Sequence, residues 1–172
     1  SLKRRSDAFT ALARAITGQQ ISVKAADAIW RRFVAAAAPE QVRRAFPRLE
    51  PSRVVAIAPD AFRAIGFSER KAAYVRDLAA HFVSGKLDPL GWKRLDDEAL
   101  IAALVDVRGI GRWTVEMLLL FALGRPDVWP VHDYGVRKGF AKIFGKRKLP
   151  TPKQMLKQGQ RFAPYRSALA WY

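Results

Sequence analysis

The chain has 172 residues, half of them apolar, which suits one domain or two small lobes sharing a core. Thirty-one Lys and Arg against 15 Asp and Glu leave a net charge of +16, which points to a polyanionic partner, nucleic acid first and an anionic membrane surface second. Without cysteine the chain excludes disulfides, thiol catalysis, cysteine-ligated zinc and iron–sulfur clusters; its two His argue against an imidazole metal enzyme; and no apolar run reaches the ~18 residues of a membrane span.

In chain order, Ser1–Arg5 is basic and predicts a loose segment. Asp7–Ile16 carries Phe9, Leu12, Ala13 and Ile16 at helical spacing. Thr17–Ser22 breaks the pattern and holds two adjacent amides, Gln19 and Gln20. Such amides belong to a solvated loop, or to a crevice where they meet a base edge or fill a gap in a base stack. Ser22 caps a second helix, Val23 to about Ala37, with Ala26, Ile29, Trp30 and Phe33 on its apolar face. Pro39–Pro59 reads as short helices and turns, because four prolines interrupt it. Asp60–Ile65 is a short helix ended by Gly66. Ser68 starts a longer one, with Ala72, Val75, Leu78, Ala79 and Phe82 as its stripe and Gly85 as its end. Leu87–Leu95 is a connector, and Asp96 starts the helix Asp97–Val105.

A tight turn follows, in which Gly109 and Gly111 flank Ile110. Glycines so close permit positive φ and near approach of another molecule to the backbone. The next helix, Trp113–Phe121, is apolar enough to be buried nearly all round, at the centre of its lobe. Its first amides point back at the turn, as in a phosphate site. The extended loop Gly124–Val131 then delivers a lone carboxylate, Asp133, before the basic helix Tyr134–Phe144. Two readings fit: a turn that holds a DNA backbone beside a chemically active Asp133, or a structural hairpin and an Asp N-cap. A basic turn, Gly145–Lys148, leads to a helix over Thr151–Gln160, and Pro164 opens the last helix. The whole reads as eight to ten short helices, all-α, without repeats. It starts without Met and stops inside a helical pattern at Trp171-Tyr172, as a piece of a longer protein would, and no signal peptide is visible.

The segment Val107-Arg108-Gly109-Ile110-Gly111-Arg112-Trp113-Thr114, followed twenty residues after Trp113 by Asp133, resembles the helix-hairpin-helix/Gly-Pro-Asp superfamily of DNA glycosylases. Within it the chain is most similar to the alkylated-base branch, of the 3-methyladenine DNA glycosylase II type. Ile16–Ala26, Gly66-Phe67-Ser68 with Lys71-Ala72, Asp133–Gly139, and Pro164–Ser167 with Trp171 resemble further family segments in the same order. The pattern departs from the family at Arg108, where a proline usually stands, and in Pro130-Val131-His132-Asp133, where Pro and Asp are spread apart. The missing cysteines argue against the iron–sulfur endonuclease and adenine-mismatch branches.

The resemblance implies one domain over residues 1–172, with two helical lobes and a cleft between them. The central lobe covers about 23–125, and the second joins the N-terminal helix to about 132–172. It implies Asp133 as the catalytic carboxylate, and Trp113, Gln19 and Met117 as the base pocket. Gln20, Arg108, Gly109, Gly111, Arg112 and Thr114 would contact DNA. Trp113 stands where lyase members carry a nucleophilic lysine, so the expected enzyme is monofunctional and leaves an abasic site. The carbonyls of Val105, Val107 and Ile110 would hold a monovalent cation, Na+ or K+, and no other cofactor is expected. His132 is expected to face solvent. The expected partner is double-stranded DNA containing a damaged base, met by a monomer inside the cell where DNA is. The alternative is a non-catalytic helix-hairpin-helix DNA-binding module.

Overall fold

The computed structural model describes residues 7–171; the expected loose segment Ser1–Arg5 and Tyr172 lie outside the described residues. The all-α expectation holds, with no strand among the described residues. The helices are α1 (Ala8–Gly18), α2 (Val23–Ala37), α3 (Pro51–Val55), α4 (Pro59–Ile65) and α5 (Glu69–Val83), then α6 (Asp97–Val105), α7 (Arg112–Leu118), α8 (Tyr134–Ile143), α9 (Pro152–Gly159) and α10 (Arg166–Trp171). Three-residue to four-residue 3-10 turns at Pro39–Gln41, Gly91–Arg94 and Gln160–Phe162 fill connectors. No helix among the described residues is long and apolar enough to cross a membrane.

Local chemistry sets most of the helix starts. Asp7, Ser22, Ser68, Asp96, Asp133 and Thr151 each accept a backbone N–H from three residues on. Each such bond satisfies an amide that the first helical turn leaves without a partner. Pro51 and Pro59 open α3 and α4, where the missing N–H costs nothing.

Two apolar clusters hold the helices. In the larger, α1 turns Phe9, Leu12, Ala13 and Ile16 inward and packs against α5, α2 and α7. Phe33, Phe62 and Phe67 meet with centroids 5.2–6.0 Å apart, two of the three pairs edge to face. The smaller cluster is Trp129, Val131, Phe140 and Met155, flanked by Val136, Phe144 and Phe162. Its indole Nε1 of Trp129 donates to the Met155 carbonyl at 2.9 Å. This cluster fixes α8, and therefore the residue that caps α8.

The helix after the glycine turn differs from expectation. It runs as α7 over Arg112–Leu118, then continues as a π-helical turn, Leu119–Leu123, closed by Gly124 at φ +66°. Val115, Leu118, Leu119 and Leu120 are buried as expected, but Trp113 and Phe121 are 50% and 47% exposed. Residues 113, 117 and 121 stand four apart, so they share one side. Met117 and Phe121 on that side line a cleft of about 1240 Å³ with Trp30, Phe46 and Trp171. Phe121 is exposed because it lines a cleft instead of a core.

Candidate active site

The turn between α6 and α7 is pinned by apolar hooks. Val107 and Ile110 are buried, and their backbones bond as Ile110 N–H to the Val107 carbonyl, 3.1 Å. Gly109 takes φ +82°, and a Cβ there would lie 2.1 Å from the Tyr74 ring. Both facts demand glycine. Gly111 is different: its φ is −98°, it is the N-cap of α7, and no atom lies within 4 Å of a Cβ built on it. Only one of the two glycines therefore uses the left-handed region. What Gly111 leaves clear is space outside the protein, beside helix amides that no side chain caps.

Gln19 reaches this turn. Its Nε2 donates to the Gly109 carbonyl at 2.9 Å, which ties the end of α1 to the hairpin. Gln20 is exposed, at φ +56°. Both line a cavity of about 590 Å³ with Arg70, Lys71, Tyr74 and the turn residues Val105 to Gly111. Lys71 donates to the Thr17 carbonyl at 2.8 Å, and burial lowers its pKa from the ordinary lysine value. Lys71 and Tyr74 were not legible as site residues. They sit 38 and 35 positions before Gly109; Lys71 belongs to a segment that resembles the family, but nothing local in α5 marks either side chain as reaching the turn.

The charges around the turn divide into free and committed. The Arg108 amide donates to Asp77 Oδ2 at 3.1 Å while the residue stays exposed. Arg112 Nη1 donates to Glu98 Oε2 at 2.8 Å, and its Nε donates to Glu116 Oε1 at 3.0 Å. Arg112 thus clamps the first turn of α6 to α7. Glu116 is only 4% exposed, and that burial raises its pKa despite the arginine. Thr114 is buried, and its amide donates to the Gly111 carbonyl. Met117 lies in the large cleft, away from the turn's cavity.

Asp133 is brought to the same end of α7. As N-cap of α8 its Oδ1 accepts the Val136 amide at 2.7 Å. Its Oδ2 accepts the indole Nε1–H of Trp113 at 2.6 Å. The loop that delivers it is anchored along its length. Arg125 donates to the carbonyls of Trp92 and Leu95, and Arg166 pairs with Asp127 at 2.7 Å. The Ser167 hydroxyl donates to the Arg125 carbonyl and accepts the Val128 amide. His132 faces solvent, as expected. The acid therefore stands one side chain away from the glycine turn, held by the indole of Trp113, one helical turn before Met117.

The described residues offer no group of three His, Cys, Asp or Glu for a metal ion. Backbone carbonyls are the remaining donors. Val105, Val107 and Ile110 line one cavity. Val105 ends α6, where helix carbonyls lack internal partners, and the Val107 carbonyl keeps a second lone pair beside its bond from Ile110. Neutral hard oxygens at the negative end of a helix suit a monovalent cation.

Residues 13–164 match the family model described as HhH-GPD superfamily base excision DNA repair protein. The chain is 38% identical to DNA-3-methyladenine glycosylase 1 of Schizosaccharomyces pombe, over 98% of this chain and 72% of that protein. It is 30% identical to DNA-3-methyladenine glycosylase 2 of Escherichia coli, over 94% of this chain and 55% of that protein. Among solved structures, it resembles the S. pombe 3-methyladenine DNA glycosylase in complex with abasic DNA, with TM-score 0.82, 37% identity, and coverage of 99% of this chain and 82% of that one. It also resembles a DNA-3-methyladenine glycosidase from Bacillus halodurans, with TM-score 0.87, 31% identity, and coverage of 99% and 76%. Glycine turn, capping acid, helical architecture and these likenesses together place the chain in the HhH-GPD superfamily of base excision DNA repair proteins, on its 3-methyladenine glycosylase branch.

Proposed function

We propose that this protein is a monofunctional DNA glycosylase that extrudes an alkylated purine from duplex DNA and hydrolyses its N-glycosidic bond. The observation that carries the reading is the carboxylate of Asp133, 2.6 Å from the indole nitrogen of Trp113, a residue that stands two positions past the glycine turn. The C1′–N bond breaks and the base leaves with its electron pair. Positive charge on the sugar is stabilised by the fixed Asp133 carboxylate. Water adds to C1′, gives up a proton for which Asp133 is the base, and an abasic sugar remains. Residue 113 is an indole, which forms no Schiff base, so the backbone is left uncut. A cationic methylated purine stacks well on an electron-rich aromatic face such as Trp113, with Met117, one turn further along α7, lining the cleft.

DNA is held by its backbone at the hairpin. Gly109 and Gly111 keep side chains out of the way, Arg108 supplies exposed charge, and Gln20 is placed to fill the gap left by the extruded base. Arg112, Thr114 and Gln19 serve the hairpin from inside, through the bonds described above. A monovalent cation, Na+ or K+, would be held by the carbonyls of Val105, Val107 and Ile110, and when bound supplies positive charge against a phosphate. No other cofactor enters this reading. The protein acts as a monomer, inside the cell, where DNA is.

The purely DNA-binding alternative needs Asp133 only as the cap of α8, a role in which a neutral Asn or Ser would serve without a carboxylate that opposes affinity beside phosphates. The test is release of free base from duplexes carrying 3-methyladenine, 7-methylguanine, hypoxanthine or ethenoadenine. Asp133→Asn is expected to lower release by at least ~10²-fold while binding survives. Release at the parent rate by that variant would remove Asp133 from the chemistry.

A further inference from the structure

Building on the glycosylase reading, we propose that Trp113 is a positioning residue for Asp133 as well as a stacking face, so that one indole couples the fit of the extruded base to the placement of the carboxylate. Three observations carry this. The indole Nε1–H donates to Oδ2 of Asp133 at 2.6 Å, while the Val136 amide holds Oδ1 at 2.7 Å. The two donors differ in kind. The Val136 amide belongs to the same helix as the acid it holds and moves with it. Among the described residues, Trp113 is the donor that ties the carboxylate to α7, next to the hairpin.

The second observation is the direction of the bond. An indole N–H lies in the ring plane, so donating it leaves both ring faces available for stacking. Trp113 is half exposed, which leaves a face to be covered. The third is the rigidity behind it. Arg112, the preceding residue, is clamped by Glu98 and Glu116, and Thr114 and Val115, the following ones, are buried. The backbone of residue 113 is fixed, and the ring's orientation is the one freedom left.

A base that stacks flush on this ring keeps the N–H aimed at Oδ2. A base that tilts the ring pulls the donor from the carboxylate. Discrimination among bases then shows in the rate of bond cleavage as well as in binding. A hydrogen bond to a charged acceptor is worth roughly 10- to 100-fold in such a rate.

Trp113→Phe separates the two roles, because it keeps an aromatic face and removes the donor. The expected result is affinity for lesion duplex within about threefold of the parent, with single-turnover base release about 10- to 100-fold slower. The rate preference between two lesions should shrink more than the affinity preference. In the Asp133→Asn background the same change should cost nothing further. A second measurement needs no activity. In protein labelled with 15N at its indoles, the Trp113 Nε1–H resonance, assigned by its loss in Trp113→Phe, should move on Asp133→Asn while those of Trp30, Trp92 and Trp129 stay. Parent-rate release by Trp113→Phe, multiplicative losses in the double variant, or an unmoved resonance would each overturn the proposal. Failure of the parent protein to release any base sinks the glycosylase reading instead, and the resonance comparison then decides the contact by itself.

Discussion

A methyl group at Gly135 would lie 3.1 Å from Oδ1 of Asp133, inside ordinary contact distance. That oxygen already accepts the Val136 amide, and its twin accepts the indole, so the carboxylate has little room to yield. Gly135 also sits in the first turn of α8, where alanine is the better helix former by about 1 kcal/mol. The two effects oppose each other. Gly135→Ala is expected to hold or raise the melting temperature and to slow base release by ~10-fold or more, since a displaced carboxylate stabilises the sugar cation less well. Thermal unfolding and single-turnover assays on one preparation decide it; a stabler and equally fast enzyme would show that the carboxylate is not tightly held. Asp133 itself was legible because acid-before-helix is a local pattern, and Gly109 because glycine spacing is. The bond from Trp113 was not, since it joins positions 20 apart that only the folded loop brings together. Gln19 was legible as unusual, but its partner, the Gly109 carbonyl, lies 90 residues away.

At the scale of elements, the segment that delivers the acid works because it is fastened at both ends. Asp127 and Arg166 tie it to α10 through two side-chain bonds, 2.7 and 2.8 Å, plus the Arg166 amide. The bond from Arg166 holds the Asp127 pKa below the ordinary carboxylate value. A folded pKa lower than the unfolded one means that the unfolded chain binds more protons as pH falls. The pair's stability is then complete above the unfolded value and is lost as pH drops through the folded one. Asp127→Asn is expected to cost ~1–3 kcal/mol at pH 7, in line with hydrogen bonds to charged groups. The gap to the parent should begin to narrow below about pH 4 and close as pH falls through the lower folded value. Urea titrations across that range check both claims, and a gap constant with pH would mean that the pair is not what fixes the loop. The starts marked by the caps Ser22, Ser68 and Asp96 were read correctly at this scale, whereas the last helix begins at Arg166, two residues after the Pro164 expected to open it, and α4 begins at Pro59 rather than Asp60. The π-helical turn at Leu119–Leu123 was not legible, because an apolar run carries no mark of which hydrogen-bond period it will adopt.

Over the whole molecule, charge is distributed with a clear bias. All fifteen Asp and Glu lie at or before Asp133, and the residues after it carry ten Lys and Arg. Of those ten, Arg166 is the one paired with an acid among the described residues, and Arg161 is stacked on Phe144 and Phe162. The lobe that carries the catalytic candidate is thus a cationic surface interrupted by one carboxylate at its edge. A polyanion meeting it displaces counterions, and each neutralised phosphate steepens the fall of affinity with salt by about 0.9 in log–log slope. With a net charge of +16 and basic residues on both the turn side and the α8 side, a footprint of six or more phosphates is expected. Affinity for undamaged duplex should then fall by ~10³-fold or more between 50 and 200 mM salt. Asp133→Asn should bind more tightly at every salt concentration, because it removes a negative charge that repels the backbone. Fluorescence anisotropy with parent and variant over a salt series tests both parts. A shallow slope would confine the DNA to the glycine turn, and weaker binding by Asp133→Asn would mean that the acid organises the surface rather than opposing the phosphates.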